Sequence, residues 1–251
     1  MINQIFNTNF YNVGDKPARN VLACTDQGLM IVNRFDYDHQ EVGHSRWLLD
    51  HGNCNTLEVN DCYQAIKHIH NPIILDVGAN IGTISLWLSK ICKLGHVYSF
   101  EPQRQIFYQL AGNIAINNLY NIDAFNYVVS DQMGTLKTKE PNYFANYDFG
   151  TFSYTNKKVE VTDKNLIVPC ITLDWFVDVF EIPKVDLIKI DVEGMDLQVL
   201  KGSIRTIEKF SPVLYVEHFD NVNSYLKEIE EFLFPFDYSF DLRKNNVLCQ
   251  K

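Results

Sequence analysis

Three groups of residues in this chain have the types and spacing that do chemistry. Gly78, Asn80 and Gly82 form a G-x-N-x-G turn between the apolar run Ile73-Ile-Leu-Asp-Val77 and the amphipathic pattern Ile84, Trp87, Leu88, Ile91. A strand carrying an acid near its tip, here Asp76, that turns through glycines into a helix is how a parallel α/β sheet opens a crevice for a nucleotide-like ligand. Gly78 permits the turn, and Gly82 brings the ligand close to the backbone at the helix start. A dinucleotide fingerprint is absent, because Asn80 and Thr83 stand where G-x-G-x-x-G has glycine. The second group is Glu101, which ends the run His96–Phe100 at 19 residues beyond Gly82, with Pro102 opening a new helix. A carboxylate at that spacing accepts both hydroxyls of a ribose and repels a 2′-phosphate. Without a ligand, the same residues are a plain strand-turn-helix corner and a solvated acid.

The third group is Asp191 and Glu193, within Leu187-Ile-Lys-Ile-Asp-Val-Glu-Gly194. Acids at i and i+2 on a strand tip share one side of the pleat. As neighbours they raise one another's pKa, which makes one a base, or together they hold a divalent cation that orients a hydroxyl. The alternative is structural: Asp191 caps the next helix and Glu193 sits in its first turn. Glu217-His218 ends the following apolar run. His218 is either a general base near neutral pH or a structural histidine. His39, His44 and His51 have no i, i+4 pairing, so they read as surface or capping residues, and no structural metal site is expected.

The elements that position these residues follow from periodicity. Strands at 73–77, 97–101, 124–129, 185–191 and 213–218 alternate with helices at 83–92, 103–118, 173–180, a stretch from 195, and 222–234. Leu197, Leu200, Ile204 and Ile207 read as the buried stripe of the helix from 195, with Lys201, Arg205 and Lys209 outside. A hairpin around Arg243–Asn246 brings the strand count to seven. Val21–Cys24 and Leu29–Val32 read as an N-terminal β-hairpin, and Asp38–Ile69 as helical pieces. Residues 134–171 break the rhythm with two strand-like pieces around the aromatic run Tyr143, Phe144, Tyr147, Phe149, Phe152, Tyr154, which is a lid or a satellite core. The expectation is an α/β, Rossmann-like, seven-stranded and mostly parallel sheet with helices on both faces, a C-terminal antiparallel hairpin, and an N-terminal hairpin plus helical extension. One domain over 1–251 is expected, with the extension at 1–70 packed on a core at 71–251.

Composition narrows the function classes. The chain has 251 residues, and 22 basic against 31 acidic residues give a formal charge of −9, which disfavours nucleic-acid binding. Six scattered cysteines without a C-x-x-C pair argue against disulfide scaffolding or zinc. The start lacks a signal peptide and no run approaches a membrane span, so a cytoplasmic soluble protein with no membrane partner is expected.

Asp76-Val-Gly-Ala-Asn-Ile-Gly82, Phe100-Glu-Pro-Gln103 and Leu187-Ile-Lys-Ile-Asp-Val-Glu-Gly194 together resemble the FkbM family of S-adenosylmethionine-dependent methyltransferases. Ile171-Thr-Leu-Asp174 and Leu200-Lys-Gly202 look like the family too, so the resemblance covers residues 20–219. It implies methyl transfer from S-adenosylmethionine to a hydroxyl of a sugar or other small metabolite, with a glycan or nucleotide sugar as acceptor. It also implies roles. Gly78, Asn80 and Gly82 line the methionine and ribose portion, Asp76 holds the turn, Glu101 with Pro102 takes the ribose, and Asp131 with Ser130 meets the adenine or is a plain turn. Glu58 comes from the segment that closes over the cofactor. Glu193, Asp191 and His218 fall on the acceptor side. A cofactor-binding module without catalysis and a nicotinamide-dependent oxidoreductase are the rival readings. Hydride transfer does not need the Asp191/Glu193 tip.

Overall fold

The runs rich in Ile, Val and Leu become the central sheet of the computed structural model, which describes residues 18–37, 43–152, 160–218 and 223–251. The lead-in through residue 17, His39 and Tyr154 lie outside the described residues. A hairpin of β1 (Asn20–Thr25) and β2 (Gly28–Asn33) precedes α1 (His44–His51) and α2 (Thr56–Ile66). Next come β3 (Ile73–Val77), α3 (Thr83–Ile91), β4 (His96–Phe100), α4 (Arg104–Ile116), β5 (Ile122–Phe125), β6 (Val128–Val129), β7 (Gly134–Pro141) and β8 (Val161–Ile171). The remainder is α5 (Leu173–Val179), β9 (Leu187–Ile190), α6 (Asp196–Lys201), α7 (Ile204–Phe210), β10 (Val213–Glu217), α8 (Asn223–Leu233), β11 (Ser239–Leu242) and β12 (Asn246–Gln250).

Seven strands form one sheet in the order β11-β12-β10-β9-β3-β4-β5. β5, β4, β3, β9 and β10 run parallel, and β12 and β11 close the edge antiparallel. This is the α/β fold with a mixed sheet and N-terminal antiparallel hairpin expected from the sequence. Successive strand residues face opposite sides, so Ile74, Val97 and Leu187 join a core with α2, α3 and α4. Leu75, Val77, Phe100, Ile188 and Ile190 join the opposite core with α5, α6 and α7. The chain leaves β3 for β4 on one side, while β9 pairs with β3 on the other. Strand order therefore reverses there, and ligands bind outside the strand tips at such a point. Asn113 fastens the N-terminal hairpin to this frame: its Oδ1 accepts from the Ile31 N–H at 2.5 Å and its Nδ2 donates to the Ile81 carbonyl at 2.9 Å.

Three local expectations change. The strand expected at 124–129 is two strands, because Asn126 turns its side-chain amide onto the carbonyls of Glu101 and Pro102 at 2.9 and 3.0 Å. Beyond that turn, β6 pairs with β8 in a separate three-stranded sheet. The helix expected from 195 breaks between α6 and α7. Gly202 lies there against the Ser130 backbone, where a Cβ would stand 2.0 Å from the Ser130 carbonyl oxygen. Its buried apolar residues are Val199, Leu200 and Ile207, whereas Ile204 is 36% exposed and Leu197 only half-buried. The aromatic run is both core and wall: Tyr143 and Phe149 belong to the α2–α4 core, and Phe152 faces a cavity. All six cysteines are free, and no helix among the described residues is long and apolar enough to cross a membrane.

Candidate active site

The cavity, of about 270 Å³, opens at the tips of β3, β4, β9 and β10. Its first wall is the turn after β3. Gly78 has φ +80°, and a Cβ there would stand 1.8 Å from the Asp191 carbonyl oxygen, so only glycine fits. Asn80 follows at φ +50°, a left-handed conformation that asparagine tolerates. Its Oδ1 accepts from the Ile81 N–H at 2.7 Å. Its backbone N–H donates to Glu101 Oε2 at 3.0 Å, and the Gln103 N–H donates to Glu101 Oε1 at 2.7 Å. Glu101 is thus aimed into the cavity wall with each oxygen already holding one donor. Burial raises its pKa to about 7, against the pull of those two N–H groups.

Beneath the turn lies Lys189, only 3% exposed in the middle of β9. The β3–β9 register puts Asp76 beside Lys189, and Lys189 Nζ stands 3.4 Å from Asp76 Oδ1 and 3.2 Å from Asp191 Oδ2. It also donates to the Gly78 carbonyl at 3.0 Å. Burial alone would lower the lysine pKa, but Asp191 and Asp76 together push it above the ordinary value. Asp76 does not touch the turn directly. It accepts from Ser85 Oγ and anchors Lys189, and Lys189 holds the turn.

The far wall gathers acids. Carboxylate oxygens of Asp191, Glu193 and Glu217 lie within 4.8 Å of one another. The pleat does not bring Asp191 and Glu193 together, because β9 ends at Ile190 and the chain turns through Glu193 at φ +53° and Gly194 at φ +91°. Nor does either acid cap a helix: α6 starts only at Asp196, whose own Oδ1 accepts from the Val192 N–H at 3.3 Å. Burial would raise Asp191, yet Lys189 and a hydrogen bond from Glu217 hold it below the usual carboxylate range. Burial, then the charges of Asp191 and Glu193, push Glu217 well up, so it carries the proton the pair shares. Burial and Asp191 raise Glu193 to about 9. Such a cluster can store a proton, accept one from a hydroxyl, or ligate a cation.

The cavity gathers most of the residues singled out in the sequence, with exceptions. Gly78, Asn80, Glu101, Pro102, Glu58, Asp191 and Glu193 line it. Gly82 does not: it turns the chain into α3 at φ +93°, and a Cβ there would also press on Leu86 Cδ1 at 2.5 Å and Leu110 Cδ1 at 2.7 Å. Ser130 and Asp131 lie beyond the wall, with Asp131 exposed and accepting from Ser130 Oγ at 3.1 Å. Tyr127, Val128 and Val129 line the cavity in their place. His218 is buried outside the cavity, its N–H donating to the Asn245 carbonyl at 2.9 Å.

The histidine in the cavity lining is His44, which reads from the sequence as a surface or capping residue and does open α1. Its Nδ1 lies 3.0 Å from Asn80 Nδ2. The Ile81 contact fixes the Asn80 amide, so that Nδ2 donates and His44 Nδ1 accepts. Asp36 holds this arrangement by accepting from the Ser45 N–H at 2.8 Å and the Phe149 N–H at 2.9 Å. Lys189, a lysine inside an apolar strand, was the legible signal that passed unread.

A family model described as the methyltransferase FkbM domain matches residues 76–242. Methyltransferase sdnD of Sordaria araneosa is 28% identical over 168 residues, covering 56% of this chain and 64% of that protein. Hexuronic acid methyltransferase AglP of Haloferax volcanii is 29% identical over 149 residues, covering 59% and 56%. The matches thus span less than two thirds of the length of either relative. Among solved structures, methyltransferase FkbM from Methylobacillus flagellatus KT superposes with a TM-score of 0.53 at 19% identity, over 72% of this chain and 44% of that one. M. jannaschii TYW2, in complex with AdoMet, superposes with a TM-score of 0.50 at 13% identity, over 93% and 85%. The structural likenesses carry the fold, and the family match spans most of the chain, from Asp76 at the crevice to the final hairpin. The chain belongs to the FkbM methyltransferase family.

Proposed function

We propose that this chain is an S-adenosylmethionine-dependent methyltransferase acting on a hydroxyl of a sugar or other small metabolite. The observation that carries the reading is one cavity with two unlike walls, Glu101 on one side and the Asp191, Glu193 and Glu217 carboxyls on the other. The donor set fits the cofactor. Glu101 keeps one lone-pair site per oxygen for ribose hydroxyls, Tyr127, Val128 and Val129 give an apolar slot for a flat base, and the acidic lining suits a cationic sulfonium. When bound, S-adenosylmethionine supplies an electrophilic methyl group on a good leaving group.

The residues of the chain contribute orientation and proton handling. Lys189 locks the Gly78 carbonyl and Asp191 together, so the two walls keep a fixed separation. A carboxylate of the acid cluster accepts the proton as an acceptor hydroxyl becomes a nucleophile, and Glu193 is best placed to do so because it lies at the cavity wall and burial beside Asp191 raises its pKa to about 9. Turnover should therefore rise with pH toward about 9 as Glu193 loses its proton. The test is a pair of titrations. Native protein should bind S-adenosylhomocysteine by calorimetry, and Glu193→Gln should bind it equally well while methyl transfer to sugar acceptors falls by about 100-fold or more. Full activity in the variant removes Glu193 from the reaction, and absence of cofactor binding removes the reading itself.

A further inference from the structure

The base slot, the ribose acid and the glycine turn follow the order of the sheet. Tyr127, Val128 and Val129 come after β5, Glu101 ends β4, and Gly78 and Asn80 follow β3. A nucleoside with its ribose at Glu101 and its base in that slot points its 5′ substituent toward Asn80 and what lies past it. In the proposed cofactor that substituent ends in an amino acid, whose carboxylate and ammonium both need partners.

Past Asn80 lie His44 and Asn55, which also line the cavity. His44 Nδ1 accepts from the Asn80 amide at 3.0 Å, so Nε2 carries the proton of the neutral imidazole and is a donor. Gly150 lies over the pair: a Cβ there would stand 3.1 Å from Asn80 Nδ2 and 3.5 Å from His44 Nδ1. Asn55 precedes α2 at φ +54°, where an asparagine side chain ordinarily caps a helix, yet it makes no such hydrogen bond. Its Oδ1 accepts instead from Thr83 Oγ1 at 2.7 Å, at the start of α3, which leaves the Nδ2 group as a donor. Among the described residues, the other basic group in the lining is Lys189, and Asp76, Asp191 and the Gly78 carbonyl already surround its ammonium.

Resting on the methyltransferase reading above, we infer that His44 and Asn55 hold the carboxylate of the cofactor's amino-acid end, His44 through Nε2 and Asn55 through Nδ2. Both donate to a charged acceptor, the stronger class of hydrogen bond. Glu58, in the first turn of α2 and also in the lining, is the counter-charge for the ammonium. Asn80 then joins the two ends of the ligand. Its backbone N–H donates to Glu101 Oε2 at 3.0 Å, while its side chain sets the His44 tautomer. A carboxylate on the acceptor has the same chemistry, so the test varies the carboxylate on the cofactor alone.

Calorimetry on the full chain compares S-adenosylhomocysteine, its decarboxylated analogue, and methylthioadenosine, which lacks the amino-acid end. Native protein should bind S-adenosylhomocysteine about tenfold or more tightly than either of the others. His44→Ala should cut that affinity by about tenfold and leave the two carboxylate-free ligands within about twofold of native. Asn55→Gly keeps the left-handed backbone; it should show the same selective loss, several-fold in size, and carries the test if His44→Ala does not fold. Equal losses for all three ligands mean that His44 acts only through Asn80, and they overturn the inference. Unchanged affinity for S-adenosylhomocysteine in both variants overturns it too, as does a native protein that binds the decarboxylated analogue equally well. Failure of all three ligands to bind native protein instead counts against the proposed function, and this inference falls with it.

Discussion

Replacing Glu101 with glutamine separates the cofactor's hold on the site from the fold's. The native carboxylate is 4% exposed, so solvent screens it little. Each of its oxygens takes one backbone N–H, from Asn80 at 3.0 Å and Gln103 at 2.7 Å, and each has one further site for a ribose hydroxyl. Glutamine keeps the shape but loses the charge and one acceptor oxygen. A hydrogen bond to a charged group contributes roughly 1.5–3 kcal/mol, so affinity for S-adenosylhomocysteine should fall by about 10- to 150-fold. The fold should change less. Relief from burying a charge offsets the N–H left without its acceptor, keeping the melting midpoint within about 5 °C.

The pH dependence gives a second reading of the same residue. Burial holds the Glu101 pKa at about 7 in the free protein, and only the ionised form accepts both hydroxyls. Native affinity should therefore fall as pH drops below 7, by at most about tenfold per pH unit, because a bound proton must leave. Glu101→Gln should show no such slope. A 2′-deoxy ligand should lose affinity for the native protein and lose little more in the variant, which closes a double-mutant cycle on one contact. Calorimetry on the two proteins with the two ligands makes the measurement. The reasoning is refuted if the variant binds within about twofold of native, or if native affinity is flat between about pH 8 and about pH 6.

Other substitutions follow from the same geometry. Gly78→Ala forces a Cβ to within 1.8 Å of the Asp191 carbonyl at φ +80°; it should cost on the order of 3 kcal/mol in denaturant unfolding and abolish cofactor binding. Lys189→Met leaves Asp76 buried without its counter-ion, which should destabilise by roughly 3–5 kcal/mol in the same assay. Asp131→Asn, at an exposed position beyond the cavity wall, should leave S-adenosylhomocysteine affinity unchanged, and a loss would return Asp131 to the site.

Much of this site is legible in the chain because strand tips and turns have local signatures. Gly78, Asn80 and Glu101 announce themselves by spacing, since one βαβ unit fixes their relation. What escapes is set by contacts between distant segments. His44 reaches the cavity only because Asp36 ties the start of α1 to the Phe149 backbone, which no local pattern encodes. Gly202 has local turn character, yet it is explained by what it packs against, the Ser130 backbone. Asp191 and Glu193 do line the cavity, but through a geometry other than the one expected. The left-handed turn at Glu193, not the pleat, brings their carboxyls together. Asp131 illustrates the reverse: Asn126 breaks the strand and carries the following residues into another sheet.

A crystal structure of the protein soaked with S-adenosylhomocysteine tests the account most directly. The ribose hydroxyls should lie within hydrogen-bonding distance of both Glu101 oxygens, with the sulfur facing the wall formed by Asp191, Glu193 and Glu217. Ligand density elsewhere on the molecule, or a ribose turned away from Glu101, would contradict it.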